Sequence, residues 1–433
     1  MKLNSFAISE FSSIYFIQNN KIIGYDLSCK NLVVSQQTFK EIKKFILKNS
    51  EQTQFLQPSY KNGLGEVLQA QNYVGVIQTK DGTTIEILPK IKNVTENTSK
   101  EILIKMLKTL KKSPFKNFNM AHLKSSKMPL LEIFITMFLE ELVKLIQKGI
   151  KSDYIKKEEN LKFLKGKLKI NEQIKHNTVH KERFFVEYDE FLSDRVENIL
   201  IKTTLRYLYK KSKSNKNQQR IREFLFVFDA IKVSLDIKTD FSKVKLNRQM
   251  KDYEQVLLWC KTFLLKNSFS PYKGNDIAFA LLFDMNLLFE SYVYDYLKRY
   301  GNFENITAQD KQYHLAYLNG KNPKFQLKPD LVMDSSKIIA DTKWKILSED
   351  KTHNGVSQAD MYQLYAYGTK YKNCKDMYLI YPKDNEIEEN CYQYFKDETC
   401  ESNNGLNLKV IFFDVTQNFA EYNFYEKINK DKN

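Results

Sequence analysis

What is scarce in this 433-residue chain narrows the field first. Its five cysteines (Cys29, Cys260, Cys374, Cys391, Cys400) are scattered and form no C-x-x-C pair, so a disulfide framework is not expected. The five histidines (His122, His176, His180, His314, His353) make no H-E-x-x-H or Cys/His metal pattern. His176 and His180 could share a helix face, but a solvated pair explains them. No apolar run approaches membrane-spanning length, and the opening MKLNSFAISEF has no apolar signal core. A reduced, cytoplasmic protein with no membrane partner is expected. A G-x-x-x-x-G-K-[ST] phosphate loop is also missing; Lys165-Gly166-Lys167 lacks the first glycine and the Ser/Thr. Any nucleotide-driven motor must therefore sit on another chain.

What is present is a large stock of core-forming residues. Hydrophobic residues make up 42%, with 30 Phe and 26 Tyr, enough for two or three domains. Lys and Arg number 68 against 52 Asp and Glu, a formal charge of +16. Nucleic acid is the commonest anionic partner for such a chain. The same Lys, Asn, Ile, Phe and Tyr abundance also fits an AT-rich coding bias, so charge alone does not decide. There is no internal repeat and no long low-complexity linker.

The expected fold is mixed α/β. Residues 1–95 read as strand-rich: SIYFIQNNKIIGYDL is β-branched and aromatic, broken at Asn19-Asn20. NYVGVIQTKDGTTIEILPKI is a hairpin, two apolar-alternating runs flanking Asp81-Gly82. Tyr73, Ile85 and Ile87 on it read equally as partner surface or β core. Helical spacing begins near Lys100 and continues through MPLLEIFITMFLEELVKLIQKGI, with Gly149 as a C-cap. FLKGKLKINEQIKH and RFFVEYDEF read as short strands. Three helices follow, in DRVENILIKTTLRYLYKKS, QQRIREFLFVFDAI and MKDYEQVLLWCKTFLLK, with KKSKSNKNQQR as a solvated loop. Residues 276–300 read as one long amphipathic helix. SQADMYQLYAYGTKY reads as a helix opened by a capping box of Ser357 and Asp360. DMYLIYP and LKVIFFDV are buried strands, so the order from 276 is α-β-β-α-β-β. This divides the chain into a β-rich and helical part at 1–155 and a second part at 156–433. Within the latter, 156–270 is a helical lead-in and 271–433 an α/β core.

The segment PDLVMDSSKIIADTKWK (329–345) sets charges among strand residues, where they are costly unless paired or bound to metal. On a strand, Ile339, Asp341 and Lys343 share one face, with Asp341 and Lys343 about 7 Å apart along it. A turn at Asp334-Ser335-Ser336 brings Asp330 alongside Asp341. Two carboxylates and an ammonium suit a hard divalent cation and phosphate oxygens. The lysine can orient or deprotonate a water, or balance transition-state charge. Trp344 reads as core or strand rim, and Asp360 as a helix-start residue.

Pro329-Asp330, ten residues, then Asp341-Thr342-Lys343 resembles the PD-(D/E)xK nuclease core. Glu290 on the preceding helix and Gln363-x-x-x-Tyr367 on the following one match the RecB-like branch, and positions 363 and 367 share a helix face. The strings LFESYV, KPDLVM, IIADTKWK and ADMYQLYAY, with the upstream YVGVIQTKDGTTIEILPKI, LKGKLKINEQIKHN and FFVEYDEFLSDRVENILIKTTL, are similar to McrC. McrC is the nuclease subunit of the McrBC modification-dependent restriction system. The likeness covers most of residues 70–370.

The resemblance implies a restriction-endonuclease-like core at 271–433 and a subunit that cuts double-stranded DNA as a defence against phage. It implies Asp330, Asp341, Lys343, Glu290, Gln363 and Tyr367 as catalytic residues. Asp330, Asp341, Glu290 and the Thr342 carbonyl would hold Mg2+ or Mn2+. A McrB-like AAA+ GTPase hexamer would bind GTP and read the modified base (5-methylcytosine), and the N-terminal part of this chain would touch it and stimulate its GTP hydrolysis. Two other readings are a catalytically silent NTPase activator and a stand-alone RecB-like nuclease.

Overall fold

The computed structural model describes residues 5–16, 24–26, 31–49, 54–111, 113–116, 128–265, 277, 279–383, 387–394 and 406–429. The chain divides into two compact units. One holds residues 121–273 with 1–4 and 279–281; the other holds 5–120, 274–278 and 282–433. The expected boundary at 155/156 falls inside the first unit. Helix Leu130–Gln147 is apolar almost all round and shares a unit with the segments after it. The chain's first and last strands belong to one unit.

In the first unit, helices Leu130–Gln147, Val196–Lys211 and Tyr253–Leu264 pack around Phe138, Trp259 and Phe263. Gly149 follows the first helix at φ 87, the left-handed conformation that ends helices, as its sequence predicts. The polar stretch after Lys211 is shorter than its composition implies, since a new helix already starts at Asn215. Buried Glu132 draws the connection in. It accepts bonds from Lys213 N (2.5 Å), Ser214 N (3.1 Å), Ser212 Oγ (2.8 Å) and Asn217 Nδ2 (2.8 Å). Strand Asp153–Leu161 pairs antiparallel with Phe184–Leu192. Between them only Lys167–Leu168 is strand; Ile170–Asn177 is a helix, where a strand was expected. Buried Asn177 holds it, donating to Asn160 Oδ1 (2.9 Å) and Arg183 O (3.2 Å). His176 and His180 each lie beside a glutamate (Glu172 and Glu182) on an exposed surface.

The second unit begins with the strands expected at its start, Ser13–Tyr15 and Gly24–Asp26 among them; Asn19-Asn20 lie outside the described residues. They are followed by a helix, Gln36–Asn49, whose buried stripe (Phe39, Ile42, Phe45, Ile46) has helical spacing inside a region read as β. Tyr73–Gln78 and Thr84–Leu88 form the hairpin around Asp81-Gly82. Thr79 N donates to Thr83 O (2.9 Å), Asp81 Oδ1 accepts from Thr83 N (2.9 Å), and Gly82 takes φ 85. Ile85 and Ile87 are fully buried, so they are core and not partner surface. Strand Ser5–Ser9 lies parallel to Thr84–Leu88.

The long helix expected at 276–300 is two elements, strand Phe279–Asp284 and helix Met285–Tyr300. An unbroken apolar run satisfies either geometry, and Asp284 decides where the helix starts by accepting from Asn286 N (2.8 Å). The C-terminal sheet has six strands, in the order Ile306–Ala308, Leu331–Met333, Ile338–Thr342, Asp376–Pro382, Asn407–Phe413, Asn390–Gln393. Its centre is parallel and its edges antiparallel. Helix Gln358–Lys370 covers the face of Ile339, Leu379, Val410 and Phe412. Helix Met285–Tyr300 covers the other, with Phe289 and Tyr292 against Phe413. Ser357 occupies the N-cap of helix Gln358–Lys370 but makes no side-chain cap bond, so the expected capping box does not form.

Candidate active site

The site grows out of one hairpin of the six-stranded sheet. Leu331 pairs with Ala340, and the chain reverses through Asp334, Ser335 and Ser336, all at positive φ (49, 57 and 70). That register sets Asp330 beside the end of the next strand. There Asp330 Oδ2 accepts from Thr342 N (2.7 Å) and Thr342 Oγ1 (2.8 Å). Thr342 thus clamps the neighbouring carboxylate, a role that strand alternation alone does not reveal.

Asp341 is 1% exposed. Lys343 Nζ lies 2.6 Å from its Oδ2, a close ion pair. The same ammonium is 3.8 Å from Asp360 and donates to Gln363 Oε1 (3.3 Å). Gln363 Nε2 in turn donates to the Tyr367 hydroxyl (2.8 Å). Helix spacing of four places Gln363 and Tyr367 on one stripe, as their sequence predicts. The Tyr367 ring packs in the core while its hydroxyl faces Gln363. Asp360 is more than a helix-start residue: it faces Lys343, and Tyr381 OH donates to it (3.4 Å).

Glu290 enters from helix Met285–Tyr300 and accepts from Gln309 Nε2 (3.1 Å). Gln309 N also donates to Asp330 O (2.8 Å), so one residue ties two acidic positions together. Gln309 sits at φ 52 after a short strand, with no sequence signal to single it out. The other acids of this helix have structural duties: Asp284 caps it and Asp295 pairs with Arg299. Trp344 is buried, with N donating to Asn286 Oδ1 (3.1 Å) and Nε1 to Glu10 Oε2 (2.9 Å).

Electrostatics sets this cluster apart. Burial, then the Asp330 charge, pushes Asp341 up to about 7. Burial, then Glu290, pushes Asp330 up to about 6, against the Thr342 hydrogen bonds and Lys343. Glu290 is raised by burial, with Asp341 adding to the rise and Gln309 and Lys328 opposing it. Burial pulls Lys343 down, but Asp341, Asp330 and Asp360 outweigh it and hold the ammonium above its usual range. Three carboxylates thus surround one ammonium in a poorly solvated place. Among the described residues no three His, Cys, Asp or Glu side chains already converge as a ligand set. The chemistry nevertheless fits a hard divalent cation: an excess of buried carboxylate charge over the one ammonium at its centre.

Two known proteins that resemble this chain come from McrBC restriction assemblies. Over 99% of its length it shares a fold with a chain from a Thermococcus gammatolerans assembly described as McrB AAA+ hexamers with bound McrC. The TM-score is 0.68, the identity 19%, and all of that chain is covered. It is 22% identical over 313 residues to the type IV methyl-directed restriction enzyme EcoKMcrBC of Escherichia coli K12, covering 68% of this chain and 89% of the relative. A family model described as a McrBC 5-methylcytosine restriction system component matches residues 68–382, most of the chain and all the site residues above, and the chain belongs to that family.

Proposed function

We propose that this chain is the DNA-cutting subunit of a McrBC-type restriction complex, a PD-(D/E)xK endonuclease that works with a ring-forming AAA+ GTPase of the McrB type. The observation that carries the reading is the carboxylate excess: Asp341, Asp330 and Asp360 share the ammonium of Lys343, Glu290 adds its charge to that of Asp330, and Asp341 is 1% exposed. Keeping such charge in a strand core without a cation is destabilising.

Asp341, Asp330 and Glu290 would hold Mg2+ or Mn2+, with the Thr342 carbonyl as a further donor. Such an ion would polarise the scissile phosphodiester and lower the pKa of the attacking water. Thr342 keeps Asp330 ionised and oriented through two hydrogen bonds. Lys343, held cationic by its neighbours, balances charge on the transferring phosphoryl group; its raised pKa disfavours the role of proton acceptor. Gln363 fixes the ammonium, and Tyr367 fixes Gln363. GTP would bind the partner, in keeping with the missing phosphate loop here and with the McrB hexamers of the related assembly.

The test is cleavage by the purified chain with and without its partner ring, GTP and Mg2+. Cutting only in the full mixture supports the reading. Robust cutting by the isolated chain with Mg2+ alone would overturn the dependence on a partner. With Asp341→Asn, cleavage and GTP turnover are read on the same complex. Loss of cleavage alone supports separate nuclease and activator regions, whereas loss of both in an assembled complex defeats that division.

A further inference from the structure

A second feature of the same unit lies outside the carboxylate cluster. Helix Glu96–Thr109 packs on helix Met285–Tyr300, and between them opens a cleft of about 660 Å3. Six cations line it: Lys105, Lys108, Lys111, Lys116, Lys298 and Arg299. Among the described residues Asp295 is the one carboxylate in the lining, and Arg299 already engages it at 2.9 Å. Burial and the charge of Lys105 hold Lys108 below the usual lysine range. The lining therefore gathers like charge, six cations to one carboxylate among the described residues.

An aromatic ring sits among these cations. Tyr294 has Lys111 Nζ 5.4 Å and Lys298 Nζ 5.7 Å from its centroid. Glu290, Tyr294 and Lys298 are spaced by four, so they run along one stripe of the helix. Eight residues at 1.5 Å rise put Lys298 about 12 Å from Glu290. Lys111 also exerts an electrostatic pull on Glu290 itself.

We infer that this cleft seats the sugar-phosphate backbone of the DNA about three to four nucleotides from the scissile phosphate, at about 3.4 Å of axis per nucleotide. The inference rests on the nuclease reading above and adds to it a site that needs no metal. Cations lining a cleft match a chain of phosphates, and the ring offers a face to deoxyribose or base. The helix that supplies Glu290 then also sets the strand's register: one end meets the cut and the other holds the backbone.

The test is DNA binding by the full chain carrying Asp341→Asn, so that nothing is cut. Anisotropy of a fluorescein-labelled duplex is followed over a KCl series. Replacing Lys105, Lys108 and Lys298 together by Gln should weaken binding by about tenfold or more. It should also lower the slope of log K against log salt by about 2 to 3, at ~0.9 per phosphate contact. The same three changed to Arg should retain binding. A control with equal charge loss, Lys175→Gln, Lys181→Gln and Lys245→Gln on exposed positions of the other unit, should lose much less. A cleft variant that behaves like this control overturns the proposal. If the triple variant does not fold by circular dichroism, Lys298→Gln alone, at an exposed position, should still lower the slope by about 0.9, and an unchanged slope overturns the proposal. Sodium triphosphate is the second probe. A cleft that loses triphosphate but keeps DNA is a nucleotide site, which also overturns it. Because no cleavage is read, a wild-type chain that binds through the cleft but cuts nothing in complex would retire the nuclease reading, and with it the distance to a scissile phosphate, while the backbone-binding cleft itself would stand.

Discussion

Two buried strands of this protein each carry an acid paired with a lysine, and they solve the same problem differently. On Thr84–Leu88, Glu86 is 1% exposed and Lys100 Nζ meets it at 2.8 Å, with exposed Glu96 also at 2.8 Å. On Ile338–Thr342, Asp341 is equally buried and Lys343 meets it at 2.6 Å. The first is a closed arrangement, one buried acid with one cation. The second sets Asp330 and Asp360 around the same ammonium, and Glu290 adds its charge to that of Asp330. A structural ion pair settles its charge locally, whereas a site built for a cation leaves anionic charge over.

The comparison breaks most readily at catalysis. Asp341→Asn or Lys343→Ala should lower DNA cleavage by the complex by about 10²-fold or more, the scale of losing a positioned charged group. Gel-resolved cleavage rates check this, and a loss below tenfold would reduce the cluster to a salt bridge.

Stability should then move in opposite directions at the two strands. Lys100→Met strands Glu86 in the core and should cost about 3–5 kcal/mol. Asp341→Asn removes surplus charge and should raise the metal-free melting temperature. Denaturant titrations in EDTA read both; destabilisation by Asp341→Asn as large as that by Lys100→Met would erase the distinction.

pH sharpens the contrast. Asp341 and Asp330 titrate near about 7 and about 6 in the fold, above their ordinary 3.8. Between about pH 4 and 7 the folded chain keeps protons that the unfolded chain has lost, so metal-free stability falls as pH rises through that window. A tenfold gain in a carboxylate's proton affinity on folding is worth about 1.4 kcal/mol, which makes the decline of order a few kcal/mol. Millimolar Mg2+ at pH 8 should recover most of it. Glu10 contributes in the same direction: burial pushes it up to about 7 against its bonds from Lys90 N and Trp344 Nε1. Glu10→Gln should remove the part that Mg2+ leaves. A melting temperature that does not change with pH in EDTA would refute the charge excess.

The smallest effect is expected at Gln363→Ala. It frees Lys343 Nζ and the Tyr367 hydroxyl but removes no charge. Cleavage should drop by about tenfold; a loss as deep as that of Lys343→Ala would make Gln363 an equal partner in the chemistry.

Local pattern decided a good deal of this molecule. The hairpin around Asp81-Gly82, the C-cap at Gly149 and the stripe of Gln363 and Tyr367 follow from backbone preference and periodicity, which act over a few residues. Asp330, Asp341 and Lys343 were legible for the same reason, since two strands and a short turn carry them. Tertiary structure alone decided the rest. Phe279–Asp284 is a strand although its run suits a helix, because an apolar run is satisfied by either geometry until neighbours choose. Thr342 clamps Asp330, Gln309 ties Asp330 to Glu290, and Glu10 reaches Trp344 across 334 residues. Such partners are selected by burial, which obliges each polar group to find whatever donor or acceptor the fold brings near, and no local spacing in the sequence records that choice.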